Sequence, residues 1–185
     1  MNAVFLDRDG VLNEMISHEN GVRAPNRLEE FQLVSGVGQC VKKLSEVGFK
    51  IIVITNQPDI SRGKLSKREL QLINQRLIEL LPEIDEIYVC EHQETDGCAC
   101  RKPKSNLFKN AVNKYYLNAE ESWNIGDRWV DISAGQNLDI KSILIDRPWS
   151  LLSTSSGSKP QKFAPDFVVD NFEEATNVIL NHSKS

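Results

Sequence analysis

Two aspartates one residue apart, Asp7 and Asp9, close the short apolar run Val4-Phe5-Leu6, and Gly10 follows them. In extended backbone such residues point to the same side. Two carboxylates at one spot repel unless a cation separates them. A third acid, Asp127, follows Gly126 at the end of another apolar run, Trp123-Asn124-Ile125. Three carboxylate-bearing positions, completed by water and substrate oxygens, suit the octahedral oxygen shell of Mg²⁺. Thr55 and Asn56 end a third run, Ile51-Ile52-Val53-Ile54, and add a hydroxyl and an amide. An Asp-x-Asp-Gly sequence alone is equally a pair of solvated turn aspartates. The combination with Thr55 and Asp127 predicts a site.

A second constellation is Cys90-Glu91-His92, then five residues, then Cys98-Ala99-Cys100. Three thiolates and one imidazole match a closed, tetrahedral Zn²⁺ site with no open position, hence a structural one. The spacings are tighter than the common finger pattern, and redox-active thiols are the competing reading. Cys40 sits apart at a helical spacing and reads as a small buried hydrophobe. Arg101 follows the last thiol directly, so a metal-anchored loop would hold Arg101 and Lys102 in place.

The elements that must position these groups can be read from periodicity. Val4–Leu6, residues 51–54, 84–89, 123–125, 140–145 and 167–169 read as strands, the β-branched 51–54 run as one covered on both faces. Residues 37–47, 66–81, 105–116, 130–137 and 172–180 read as helices, with a capping box predicted at Ser66 and Glu69. Residues 150–162 read as a mobile loop. Strands alternating with helices define an α/β protein with a mostly parallel sheet, and ligands of such sheets bind beyond the carboxyl ends of the strands. The 185 residues are 40% hydrophobic and 26% charged with net charge −4. These are the proportions of one globular domain, 1–185, without a basic field for nucleic acid. No run approaches the ~20 apolar residues of a membrane span. The start lacks a basic leader, so the expected compartment is the cytoplasm. Without obvious exposed apolar stripes, the chain is expected to be a monomer.

The motifs carry a resemblance. Phe5-Leu6-Asp7-Arg8-Asp9-Gly10-Val11-Leu12-Asn13 resembles the first motif of the haloacid dehalogenase superfamily of phosphohydrolases. Ile54-Thr55-Asn56-Gln57 resembles the second and Arg101-Lys102-Pro103 the third. Ile125-Gly126-Asp127-Arg128-Trp129-Val130-Asp131-Ile132 resembles the fourth. All occur in order. The subgroup resembled is that of heptose bisphosphate and histidinol-phosphate phosphatases, which carry a zinc loop before the third motif, here at about 90–100.

This resemblance implies a Rossmann-like parallel sheet with helices on both faces. No large cap domain is expected, because the stretches 13–54 and 57–101 are already filled by predicted elements. It implies a phosphohydrolase in which Asp7 is the nucleophile and Asp9 the general acid and base. Mg²⁺ would be held by Asp7, the Asp9 backbone carbonyl and Asp127. Thr55 and Asn56 would bind phosphate oxygens, and Lys102 rather than Lys104 would neutralise the transferring group. Zn²⁺ would sit on Cys90, His92, Cys98 and Cys100. The implied partner is a small phosphorylated metabolite. The favoured substrate is D-glycero-D-manno-heptose 1,7-bisphosphate, losing its 7-phosphate, with Arg62, Arg101 and Arg128 as cations for the second phosphate. Histidinol phosphate or another small sugar phosphate is the rival, and a non-catalytic binding module on the same fold is the alternative of another class. Pro58-Asp59 departs from the small Ser-Gly pair common in the subgroup. Asp131 is read as orienting Arg128 or solvating a helix start, and Trp129 and Trp149 as core or rim.

Overall fold

In the computed structural model, which describes residues 1–19, 21–152, 158–161 and 163–183, the apolar runs become one parallel sheet. Its order is β5 (Ile84–Cys90), β4 (Lys50–Asn56), β1 (Ala3–Leu6), β6 (Trp123–Gly126), β7 (Lys141–Ile145), β8 (Phe167–Val169). The central strands β1 and β4 are buried and apolar along nearly their whole length because both faces of the sheet are covered there. Val4 and Leu6 of β1, with Ile51 and Val53 of β4, enter one core together with Val41 and Leu44 of α1 (Val37–Glu46) and Ile179 of α5 (Phe172–His182). Ala3, Phe5, Ile52 and Ile54 point the other way, against Leu107 and Phe108 of α3 (Asn106–Tyr115) and Ala134 of α4 (Trp129–Gln136). The strand period of two thus feeds two cores from one run.

Element ends follow local chemistry. The helix α2 (Lys67–Leu80) starts at Ser66, whose hydroxyl accepts the Glu69 N–H at 3.1 Å. Only half of the predicted box forms, because the Glu69 carboxylate accepts instead from the Leu28 N–H, at 3.1 Å. That bond ties the loop after β1 to α2. Within this loop the sequence reading missed a small antiparallel hairpin, β2 (Ile16–His18) with β3 (Gly21–Arg23).

Residues 153–157 and 162 of the loop expected over 150–162 lie outside the described residues. Among the described residues no cap domain is inserted, and no helix is long and apolar enough to cross a membrane. Cys40 is buried on α1, as read. The order reverses between β1 and β6, neighbours in the sheet but far apart in sequence. A crevice opens at such a reversal, beyond the carboxyl ends of the strands.

Candidate active site

The chain leaves β1 at Asp7, whose N–H donates to the Ile125 carbonyl at 3.0 Å, and leaves β6 just before Asp127. The two acids therefore flank the crevice. Lys102, buried, donates from Nζ to Asp7 Oδ1 and to the Ile54 carbonyl at the end of β4, each at 2.7 Å. It also meets Asp131 Oδ1 at 2.7 Å. Lys104 turns away, to the Cys98 carbonyl. One carboxylate oxygen from each of Asp7, Asp127 and Asp131 lies within 4.8 Å of the other two.

Three buried carboxylates around one ammonium leave an excess of negative charge. Burial is the main reason that Asp7 is pushed up to about 7; Lys102 opposes it, and Asp131 and Asp9 reinforce it. Burial, then Asp131 and Asp7, raise Asp127 well above the usual carboxylate range. Burial would lower Lys102, but Asp131 and Asp7 outweigh it and hold the ammonium charged. Asp127 Oδ2 accepts from Trp149 Nε1 at 2.5 Å, while its buried Oδ1 has no hydrogen-bond partner. An orphaned carboxylate oxygen beside two further acids fits a hard dication. Gly10 permits this geometry: it has φ +90°, and a Cβ there would overlap the Asp127 carboxylate.

Asp9 is engaged differently. Its carboxylate accepts from Arg8 Nη2 at 3.0 Å, Asn13 Nδ2 at 3.1 Å and Gln57 Nε2 at 2.6 Å. The fully buried Arg8 is itself braced by Asn74 Oδ1 of α2, at 2.9 Å. The Asp9 side chain therefore stands apart from the trio; the third acid there is Asp131, which the sequence reading gave no metal or lysine contact. The acid also accepts the Arg128 N–H at 2.9 Å, the smaller role foreseen for it.

Thr55 and Asn56 end β4 as expected, and each already has protein partners. The Thr55 hydroxyl is fully buried and accepts from Gln57 Nε2 at 2.8 Å. Asn56 clamps the Lys102 backbone, accepting its N–H at 3.1 Å and donating to its carbonyl at 3.3 Å. Asn56 lines the cavity over the site; Thr55 does not.

That cavity has a volume of about 340 Å³, and Arg23, Arg62, Arg101 and Arg128 share its wall with Asp7 and Lys102. Arg62 donates to Glu94 at 3.1 Å and to Asp59 at 3.3 Å, and Arg101 donates to the same Glu94. Sequence reasoning missed Arg23, which enters from β3 and pairs with Glu30 at 2.6 Å. The hydrogen bond from Arg23 is the chief cause holding Glu30 down at about 2.

Cys90 ends β5 opposite Asn56 of β4, so the thiol loop starts one strand away from the site. Cys90 Sγ lies 3.6 Å from Cys98 Sγ, 2.9 Å from Cys100 Sγ and 3.8 Å from His92 Nδ1. His92 Nδ1 is 3.3 Å from Cys100 Sγ. Four N and S atoms gathered around one point match the donor set of tetrahedral zinc, with Zn–S of about 2.3 Å. Burial pushes the Cys90 thiol up. Burial acts the same way on Cys98, but the Arg101 N–H and the neighbouring thiols bring it down to about 7.

Comparison with known proteins places this geometry in context. The family model for HAD-hydrolase-like proteins matches residues 99–175. A D-glycero-beta-D-manno-heptose-1,7-bisphosphate 7-phosphatase of Haemophilus ducreyi is 32% identical over 179 residues, covering 91% of this chain and 94% of its own. A histidine biosynthesis bifunctional protein of Campylobacter jejuni subsp. doylei is 27% identical over 144 residues, 76% of this chain and 40% of its own. The crystal structure of a D,D-heptose 1,7-bisphosphate phosphatase from B. bronchiseptica, complexed with magnesium and phosphate, superimposes with a TM-score of 0.81. It is 23% identical and covers 98% of this chain and 99% of its own.

Proposed function

The chain belongs to the haloacid dehalogenase-like phosphatases, and from that premise we propose that it removes the 7-phosphate of D-glycero-D-manno-heptose 1,7-bisphosphate. The enzyme is a phosphoric monoester hydrolase. The observation that carries the substrate assignment is the cavity wall: beyond Lys102 it presents Arg23, Arg62, Arg101 and Arg128, more cationic groups than one phosphate requires. We take residues 1–185 as one catalytic unit.

In the proposed reaction an Asp7 carboxylate oxygen attacks phosphorus, forming an acyl phosphate as the bond to the sugar oxygen breaks. Asp9 gives its proton to that leaving oxygen. Asp9 then takes a proton from water, which attacks the same phosphorus, breaks its bond to Asp7 and frees inorganic phosphate. Arg8, Asn13 and Gln57 orient Asp9 for both transfers. Lys102, held by Asp131 and by the Asn56 clamp on its backbone, meets the charge on the transferring group. Mg²⁺ would be held by the Asp7 and Asp127 carboxylates and the Asp9 backbone carbonyl; when bound it supplies positive charge that the three acids lack among themselves. The orphaned Asp127 Oδ1 supports this placement.

Zn²⁺ on Cys90, His92, Cys98 and Cys100 would be structural, fixing a loop with few apolar residues. We read the compartment as the cytoplasm, where unpaired thiols persist. We read the chain as a monomer, because its exposed large apolar side chains are scattered along the sequence.

The test is kcat/KM on the heptose bisphosphate and on histidinol phosphate, each with and without Mg²⁺. The expected result is a clear preference for the bisphosphate. Preference for histidinol phosphate, whose ammonium would seek Asp59 rather than the arginines, would overturn the substrate assignment.

A further inference from the structure

Arg62 and Arg101 come from different loops, one after β4 and one after the thiol cluster, yet they meet at one carboxylate. Glu94, in the short 3₁₀ turn between His92 and Cys98, accepts from both guanidinium groups. Further bonds join the same two loops. The Ser61 hydroxyl donates to Asp96 at 2.7 Å, the Ser61 N–H donates to the Glu91 carbonyl at 3.3 Å, and Lys67 meets Glu91 at 2.8 Å. Asp96 in turn accepts the Gln93 N–H at 2.9 Å, which keeps the turn closed.

Two guanidinium groups brought together repel, and each is a long side chain with much rotamer entropy to lose. A carboxylate shared between them removes both obstacles before any ligand arrives. Arg62 and Arg101 line the cavity, whereas Glu94 lies outside its wall, in the adjoining hollow that Arg101 also borders. Arg101 Nη1 also donates to the His92 carbonyl at 3.3 Å, so the thiol loop holds this guanidinium from two sides. Arg101, the less exposed of the two, has little freedom to settle elsewhere.

We propose that Glu94 is a positioning residue for substrate selection: it sets Arg62 and Arg101 as a pre-formed fork for the phosphate that is not cleaved. This rests on the reading above that the arginines serve the second phosphate. Glu94 takes no part at the reacting phosphorus in this scheme, so its effect falls on substrate binding and not on turnover. It also gives the thiol loop a part in specificity, because that loop supplies both Glu94 and Arg101.

The experiment is steady-state kinetics of Glu94→Gln and Glu94→Asp on the heptose bisphosphate and on p-nitrophenyl phosphate, which has a single phosphate. Arg62→Ala, Arg101→Ala and the Arg62→Ala/Glu94→Gln double variant are measured alongside, with bound zinc determined for each. Glu94→Gln is expected to raise KM for the bisphosphate about tenfold, a loss of about 1.4 kcal/mol. Its kcat is expected to stay within about twofold of the parent, as are its kinetics on the aryl phosphate. Glu94→Asp is expected to recover part of the loss. The double variant is expected to lose little beyond Arg62→Ala, since neighbours sharing one interaction are not additive. An unchanged or lower KM in Glu94→Gln, while both arginine variants weaken the bisphosphate selectively, would overturn the role of Glu94 alone. Arginine variants that weaken both substrates equally would instead overturn the second-phosphate reading on which it rests.

Discussion

Replacing Asp7 by asparagine is expected to abolish turnover and, in magnesium-free buffer, to make the protein more stable. The amide keeps the shape of the side chain, and Lys102 keeps Asp131 and the Ile54 carbonyl as partners. What disappears is a buried negative charge held close to two others. Asp7 stands at about 7 in the fold against an ordinary 3.8, with burial as the leading cause. Its folded value is raised, so between about pH 4 and pH 7 the folded chain binds more protons than the unfolded one, and stability falls as pH rises through that window. At about 1.4 kcal/mol per pH unit, ionised Asp7 costs the metal-free fold on the order of 4 kcal/mol above pH 7. Relaxation of the unfolded reference and the weaker acceptor left for Lys102 reduce the gain to roughly 2–4 kcal/mol. For a chain of this length that is about 5–12 °C in melting temperature. Thermal unfolding of both proteins from pH 4.5 to 8.5, without divalent ions or chelator, reads it directly. The difference should be small near pH 4.5 and largest above pH 7. A variant no more stable than its parent at pH 8, or a gain independent of pH, would refute the electrostatic account. Near-normal turnover would refute the covalent mechanism.

Lys102→Met should abolish activity and destabilise by about 3–5 kcal/mol, because it strands Asp7 and Asp131 without their shared cation; denaturant titration measures it. Gly10→Ala should weaken Mg²⁺-dependent turnover and cost on the order of 1–3 kcal/mol, since φ is +90° and the new methyl meets the Asp127 carboxylate; activity against Mg²⁺ concentration reports the first and melting the second. Elemental analysis should find one zinc per chain in protein purified without chelators, and Cys98→Ser should lose it with a fall in melting temperature.

Asp7 and Thr55 were legible in the sequence because β1 and the middle of β4, covered on both faces, are apolar up to the point where these residues begin. Asp127 stood out as the acid that follows Gly126 at the end of β6. The order of motifs then separated Lys102 from Lys104. The β2–β3 hairpin escaped because three-residue strands bearing Ser17, His18 and Arg23 carry no usable period, and Arg23 escaped with it. The contact of Asp131 with Lys102 is a tertiary one, invisible to any local pattern. Thr55 and Asn56 end β4 as read, and the protein partners of their side chains were not legible. Which of their atoms remain free depends on Gln57 and on the Lys102 backbone, brought up by neighbouring loops.

The pairing of β1 with β6 has a consequence for how the molecule comes into being. Ala3 donates its N–H to the hydroxyl of Ser122, a contact spanning 119 residues. During synthesis the apolar β1 emerges early and finds β4 as its first neighbour, but its other edge stays open until β6 leaves the ribosome. Contacts of such long range close slowly, and an unpaired apolar strand edge invites aggregation while it waits. Asp7 and Asp127, which face each other across that edge, therefore meet only after β6 has been made. A chain that ends before Asp131 cannot hold the three carboxylates together, so their mutual repulsion is deferred until β4, β1 and β6 can pair around them.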